Sequence, residues 1–281
     1  MMKVGLMLSA VNPRFWVDAA RAAEEAGFES VWLPEHLVFP VAMSGSPHTG
    51  HDEPPVDARV PAYDVFVALA LVAGHTESIK LATNVYNIGL RHPFVTARAV
   101  TTLSMISGGR VELGVGASWL KEEWDAVGLD FSTRGRRVDE AITVCRRLWT
   151  EDVIEHHGEF FDFQPVGFEP KPVNGPPPIL VGGDSPAAMS RAARLGDGWL
   201  PMNHSLSQLP AGIERVAELR RRAGREDPIE VTVAGDAQSV ADLHAYDRAG
   251  VRRVIVRPFA SSREALDGIR RYGEDVLAKM G

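Results

Sequence analysis

The chain has 281 residues, 45% of them hydrophobic, with a formal net charge of -7. That is enough apolar material for one large core, and an acidic balance without basic blocks argues against a nucleic-acid partner. Cys145 is the only cysteine, which excludes a disulfide framework and a thiolate metal cluster and fits a reducing cytoplasm. The opening MMKVGLMLSAV does not have the layout of a secretion signal, and no later apolar run reaches the length of a bilayer span.

Lys3 to Ser9 reads as a short buried strand. The following stretch repeats apolar residues at helical spacing through Phe15, Ala19, Ala22 and Ala26, with Gly27 as the stop. The same alternation returns along the chain. Strands are expected at Ser30 to Leu33, Ile79 to Tyr86, Arg110 to Val115, Pro178 to Val181, Gly198 to Leu200, Ile229 to Val233 and Arg252 to Val256. Helices are expected at Ala62 to His75, Phe94 to Ile106, Thr133 to Trp149, Pro186 to Leu195, Leu209 to Ala223, Val240 to Ala249 and Arg263 to Met280. Roughly eight strand–helix units predict a (β/α)8 TIM barrel in one domain over 1–281. A doubly wound open sheet is the rival, and it needs fewer strands.

Two stretches interrupt the rhythm. Residues 38–61 form a Pro-, Gly- and Ser-rich loop after the second strand, and 151–177 suggest a small hairpin with a proline-rich connector. Both read as insertions at the C-terminal face of the strands, without enough apolar residues for cores of their own.

A barrel places its site where strands end. The residues to inspect are Ser9 and Ala10; Glu35 and His36; Asn84, Tyr86 and Asn87; Gly114 to Ser118; Gly182 to Ser185; Pro201 to His204; and Arg257. In SVWLPEHLVFP, Pro34 forbids a helix directly after the strand, so Glu35 and His36 stand just beyond its end. A loop ion pair would be an ordinary explanation. The position beside a long loop favours a proton-handling imidazole oriented by a carboxylate.

In LVGGDSP, Gly182 and Gly183 allow close backbone approach, and Ser185 is placed to cap a helix starting at Pro186, whose free amides suit a phosphate. GVGAS, with Gly114, Gly116 and Ala117, fails the dinucleotide fingerprint because its third glycine is missing. Those small residues suggest instead a flat ring or phosphate tail against the backbone, with Ser118 as the cap of the next helix. No histidine lies in a metal-ligand spacing such as H-E-x-x-H, and Ser185 is not in a hydrolase elbow.

Three segments together, RFWVDAARAAEEAGFESVWLPEH, the run from Ile79 to Trp149, and ILVGGDSPAAMSRAARLGDGWLP, resemble the bacterial-luciferase-like superfamily, most closely its branch using the deazaflavin coenzyme F420. The resemblance implies a TIM barrel. It matches Glu35–His36 to an acidic-His pair at the flavin edge, and Asn84–Val85 to a non-prolyl cis peptide behind the ring. Gly114, Gly116 and Ala117 match small residues at the end of the fourth strand, and Gly182, Gly183 and Ser185 match a phosphate loop. It further implies an F420-dependent oxidoreductase passing a hydride to or from a small organic substrate, and a homodimer through helices near the second and third strands. The alternatives are an FMN monooxygenase served by a partner reductase and a non-catalytic flavin-binding protein. Two departures stand out. The sugar-phosphate dehydrogenases of that family have a tryptophan shortly after the His, where this chain has Leu37 to Pro40. They also have a glutamate just after the fourth strand, where this chain has Ala117, Ser118 and Trp119, with Glu122 and Glu123 further on. Trp119, Phe161 and Phe168 suggest either a planar substrate or packing of the insertions.

Overall fold

The computed structural model describes residues 2–48 and 50–280. Taken in chain order, β1 is Lys3–Met7, α1 Trp16–Ala26, β2 Ser30–Leu33, α2 Val65–Ala73, β3 Lys80–Thr83, α3 Pro93–Ser107, β4 Val111–Val115, α4 Lys121–Ala126 and α5 Arg134–Thr150. Then come the hairpin strands β5 Val153–His157 and β6 Asp162–Gly167, followed by β7 Ile179–Gly182, α6 Pro186–Leu195, β8 Gly198–Leu200, α7 Leu209–Arg222, β9 Glu230–Ala234, α8 Val240–Arg248, β10 Arg253–Val256 and α9 Ala265–Asp275. Eight parallel strands close in the order β1-β10-β9-β8-β7-β4-β3-β2. Among the described residues no helix is long and apolar enough to cross a membrane.

The caps explain where the helices begin and end. Asp64 accepts from the amides of Phe66 and Val67 and opens α2, a little later than the hydrophobic pattern suggests. Gly27 closes α1 at φ 90°, and its amide bonds back into the last turn. The C-terminal stretch predicted as one helix is α9 flanked by two short 3-10 turns.

Period-two alternation divides the strand residues between two cores. Leu6, Val31, Leu81, Leu113, Val181, Val233 and Val256 pack outward under the helices. Trp32, Ala82, Leu180, Leu200 and Ile255 fill the barrel interior, with Met7 and Val85 above them. Each fully buried aliphatic side chain contributes about 1.5–3 kcal/mol.

The N-terminal end of the barrel is closed by charge. Arg253, fully buried at the start of β10, bonds Glu29 at 2.9 Å, Glu112 at 2.8 Å and Thr232 at 3.2 Å, and faces Glu230 at 3.2 Å. Lys80 joins Glu112 at 2.7 Å. A guanidinium taken out of water is costly unless it is paired in this way. Burial alone would raise the Glu29 carboxyl, but the Arg253 hydrogen bonds and charge outweigh it and hold Glu29 below the usual range.

The insertion at 38–61 follows a strand and lies at the C-terminal mouth, as expected. The second insertion does not. It joins the end of α5 to the start of β7, so it enters from the opposite end of the barrel, and its antiparallel hairpin runs outside α3 and α5. Glu140 of α5 accepts from the Phe160 and Phe161 amides, and Arg137 lies 4.6 Å over the Phe161 ring. Arg98 covers Phe168 at 4.0 Å. Phe161 and Phe168 are buried in the outer core, so they pack the insertion and do not face a substrate.

Candidate active site

At the end of β2 the chain sends two adjacent side chains to different partners. The Glu35 carboxylate is buried and takes Arg91 at 2.6 and 3.3 Å and the Asn87 amide at 3.0 Å. Its carbonyl accepts from Asn87 Nδ2 at 2.9 Å. Arg91 also lies 4.6 Å over the Tyr86 ring. Glu35 therefore ties the β2 end to the turn after β3.

His36 is oriented by another carboxylate. Its Nδ1 stands 3.0 Å from Glu123 Oε2, and Glu123 is fully buried. Glu123 Oε1 also accepts from the Leu37 amide at 2.6 Å and the Val38 amide at 3.4 Å, and Ser118 Oγ donates to Oε2 at 3.4 Å. An ionised carboxylate can only accept, so the proton sits on Nδ1 and the Nε2 position remains open. Among the described residues Nε2 has no hydrogen-bond partner, and the side chain is 18% exposed at the mouth. The Phe39 ring is 4.7 Å from the imidazole and Trp119 is 6.1 Å away, edge-on. The pairing of Glu35 with His36 read from the sequence is thus corrected. Glu35 is engaged by Arg91, while Glu123 is brought to His36 by the turn before α4. Ser118 does not cap α4. It adopts φ 59° and its Oγ accepts from Leu120, one residue before the helix.

The strand expected over Ile79 to Tyr86 stops at Thr83, and the peptide between Asn84 and Val85 is cis. Tyr86 then returns to bridge Val115. This bulge aims Val85 into the barrel mouth, where it sits on the interior apolar cluster. It also accounts for the small residues. A Cβ on Gly116 would come 2.6 Å from Val85 Cγ2, one on Gly182 would come 3.0 Å from Val85 Cγ1, and one on Gly114 would lie 1.9 Å from the Thr83 carbonyl oxygen. The room beside these glycines is filled by the chain itself, so they make space for the floor of the site where the sequence suggested direct space for a ring. Ala117 packs against the outer core.

Across the mouth, Ser185 caps α6 by accepting from the Ala188 amide at 3.1 Å, and Pro186 opens the helix. Gly183 takes φ 115°, and residues 185–187 are exposed. Asp184, to which the sequence reading gave no role, accepts from the Met202 amide at 3.1 Å, Asn203 Nδ2 at 2.9 Å and His204 Nδ1 at 2.7 Å. Asn203 Nδ2 also reaches the Pro47 carbonyl at 2.9 Å, and Ser44 donates to Glu122 at 2.5 Å. Because β2 and β8 stand opposite each other in the barrel order, the 38–61 loop spans the mouth as a strap.

A polar side chain fixed at Nδ1 and open at Nε2, above an apolar floor and opposite an open helix N-terminus, can bind a flat ring with an anionic tail and handle one proton. The profile of the Luciferase-like monooxygenase family matches residues 2–274. The chain belongs to that family. An uncharacterised Mycobacterium tuberculosis protein is 32% identical over 277 residues, covering 95% of this chain and 96% of that protein. The F420-dependent glucose-6-phosphate dehydrogenase of Amycolatopsis mediterranei is 32% identical over 206 residues, 71% of this chain and 57% of that enzyme. The F420-dependent hydroxymycolic acid dehydrogenase of M. tuberculosis is 30% identical over 263 residues, 88% of this chain and 68% of that enzyme. Among solved structures, an F420-dependent secondary alcohol dehydrogenase in complex with an F420–acetone adduct superposes with TM-score 0.80 at 18% identity, covering 99% of this chain and 98% of that one. The oxygenating constituent of 3,6-diketocamphane monooxygenase from Pseudomonas putida, in complex with FMN, superposes with TM-score 0.66 at 21% identity, over 85% of this chain and 68% of that one. Within the luciferase-like monooxygenase family, this chain is an enzyme of the oxidoreductase class.

Proposed function

We propose that this member of the family is an F420-dependent oxidoreductase acting on a small organic substrate, with His36 as its proton-handling residue. The observation that carries the proposal is the Glu123–His36 pair, which leaves one ring nitrogen open at the mouth above Val85. Relatives 32% and 30% identical whose names include F420 favour the deazaflavin over FMN, since the FMN-bound likeness, at 21% identity, shows the fold alone.

The residues present fit the coenzyme. Val85 and the apolar interior would support a flat ring, and the amides at the start of α6, with Gly182, Gly183 and Ser185, would hold an anionic tail. When bound, the deazaflavin supplies hydride chemistry at carbon with little reactivity toward oxygen. His36 Nε2 gives or takes the accompanying proton at the substrate, while Glu123 fixes the imidazole tautomer and angle. Asn84 and Val85 shape the floor. Glu35 holds the loop carrying His36 through Arg91. The strap over the mouth limits water.

The test is oxidation of reduced F420 in a screen of carbonyl and alkene acceptors. Turnover that falls about 100- to 10,000-fold in His36→Ala, with coenzyme binding retained, supports the assignment. Unchanged turnover overturns the assignment of His36, and absence of turnover in the wild type with coenzyme bound favours the non-catalytic alternative.

A homodimer is part of the proposal. α2 has no charged residue and leaves Val67 71% exposed and Leu71 47% exposed, while neighbouring α3 exposes Val95, Met105 and Ile106. A second copy covering this two-helix face would remove those side chains from water. Light scattering after size exclusion should give twice the chain mass, and Leu71→Asp should shift it toward the single-chain mass.

A further inference from the structure

The chemistry beside His36 also restricts what can approach it. Leu37 and Val38 have their amides pinned to Glu123 and their side chains exposed. Phe39 and Trp119 both lie beside the imidazole, with ring centroids 4.7 and 6.1 Å from it, and both are partly exposed. Met202 and Leu206, after β8 on the opposite side of the mouth, are exposed at 51% and 40%. Charge is scarce where it would matter. Arg91 is held by both oxygens of Glu35, and Glu122 and Glu123 are anions that would repel another. Arg257 is without a hydrogen-bond or ion-pair partner among the described residues, but it lies on the far side of β1, in a separate cavity of about 740 Å³ with Asp236 and Glu264. Strand ends two places apart are separated by roughly 10 Å, too far to neutralise a charge at His36.

We propose that the substrate of this site is an uncharged, planar, conjugated carbonyl compound seated at His36 against the rings of Phe39 and Trp119, and that these two residues determine specificity. The inference rests on the oxidoreductase reading above and adds the substrate class. In the reducing direction the β-carbon of the enone takes a hydride from the reduced deazaflavin. The carbon–carbon π bond breaks, and its electron pair shifts through the conjugated system to the carbonyl oxygen. That oxygen takes the Nε2 proton of His36 in its imidazolium form, the Nδ1 proton staying with Glu123, and the resulting enol becomes the saturated ketone in water. His36 regains its proton from solvent. Faces of planar π systems gain from packing against aromatic rings beyond simple area burial, whereas a phosphorylated sugar would place two negative charges among carboxylates without a local cation.

The test uses the coenzyme-loaded protein with 4-phenylbut-3-en-2-one and glucose 6-phosphate as probes, and reads both calorimetric affinity and steady-state KM and kcat. Saturable binding of the enone, weakened at least tenfold in Phe39→Ala and in Trp119→Ala with KM rising more than kcat falls, supports the proposal. So does recovery to within about threefold in Trp119→Phe, a readout that a merely structural role would not move selectively. Tighter binding of glucose 6-phosphate than of the enone, or enone affinity indifferent to both alanine variants, overturns it. If F420 fails to bind, the same affinities are measured on FMN-loaded protein. Retained discrimination there upholds the substrate class while overturning the deazaflavin assignment.

Discussion

At the residue scale the account turns on one imidazole and the carboxylate behind it. Glu123→Gln keeps the size of the side chain but removes the charge that fixes Nδ1–H, so kcat should fall about 100-fold with little change in KM. Stopped-flow oxidation of reduced F420 would show it, and a fall confined to KM would contradict the positioning role. The sequence placed His36 correctly because Pro34 ends the strand and puts the next polar residues at the mouth. It misassigned the partner because adjacency in the chain is not adjacency in space. Consecutive residues leaving an extended strand point opposite ways, and Glu35 turns toward Arg91 while His36 turns toward Glu123, 87 residues further on in α4. Asp184 gave no signal of its own, since its three partners come together only when β7 and β8 pair side by side.

At the scale of elements, the bulge after β3 and the glycines facing it act as one unit. Gly114→Ala would drive a Cβ into the fixed Thr83 carbonyl, and soluble folded protein should not be recovered. Gly116→Ala meets only the Val85 side chain, which can give. It should fold with a loss of about 1–3 kcal/mol in urea denaturation and bind coenzyme more weakly, because Val85 forms the floor. Equal coenzyme affinity would remove Val85 from that role. Strand and helix positions were legible from periodicity, and the Ser185-Pro186 start of α6 from capping chemistry alone. The early end of β3 was not legible, because Asn84 and Val85 continue an apolar alternation that a strand would share. The side of the barrel taken by the hairpin was obscured for a different reason. Composition marks an insertion, whereas only the order helix-then-strand fixes the end from which it enters.

At the scale of the whole molecule, the two ends of the barrel divide stability from function. Arg253→Met would leave the Glu29 and Glu112 carboxylates sharing Lys80 alone in the closed N-terminal end, and should cost about 3–5 kcal/mol in urea unfolding while sparing kcat in the folded fraction. Glu24 supplies a pH dependence of its own. Burial works against its charge, but hydrogen bonds from Ser78, Ile79 and Glu77 outweigh it and hold the carboxyl at about 2, below its ordinary 4.5. A depressed folded value means that this stabilisation is complete above the unfolded value and is lost as pH falls from about 4.5 toward 2. The difference in urea midpoint between the wild type and Glu24→Gln should therefore be present at neutral pH and shrink across that interval. A difference that stayed constant would remove Glu24 from the acid response.

The central claim joins the barrel mouth to one coenzyme, and a pair of tryptophan-fluorescence titrations tests it most directly, one with F420 and one with FMN at equal protein concentration and fixed salt. Trp119 stands at the mouth beside His36, where a bound ring would quench it. Saturable quenching by F420 is expected at concentrations where FMN has little effect. Tighter binding of FMN, or binding of neither, would contradict it.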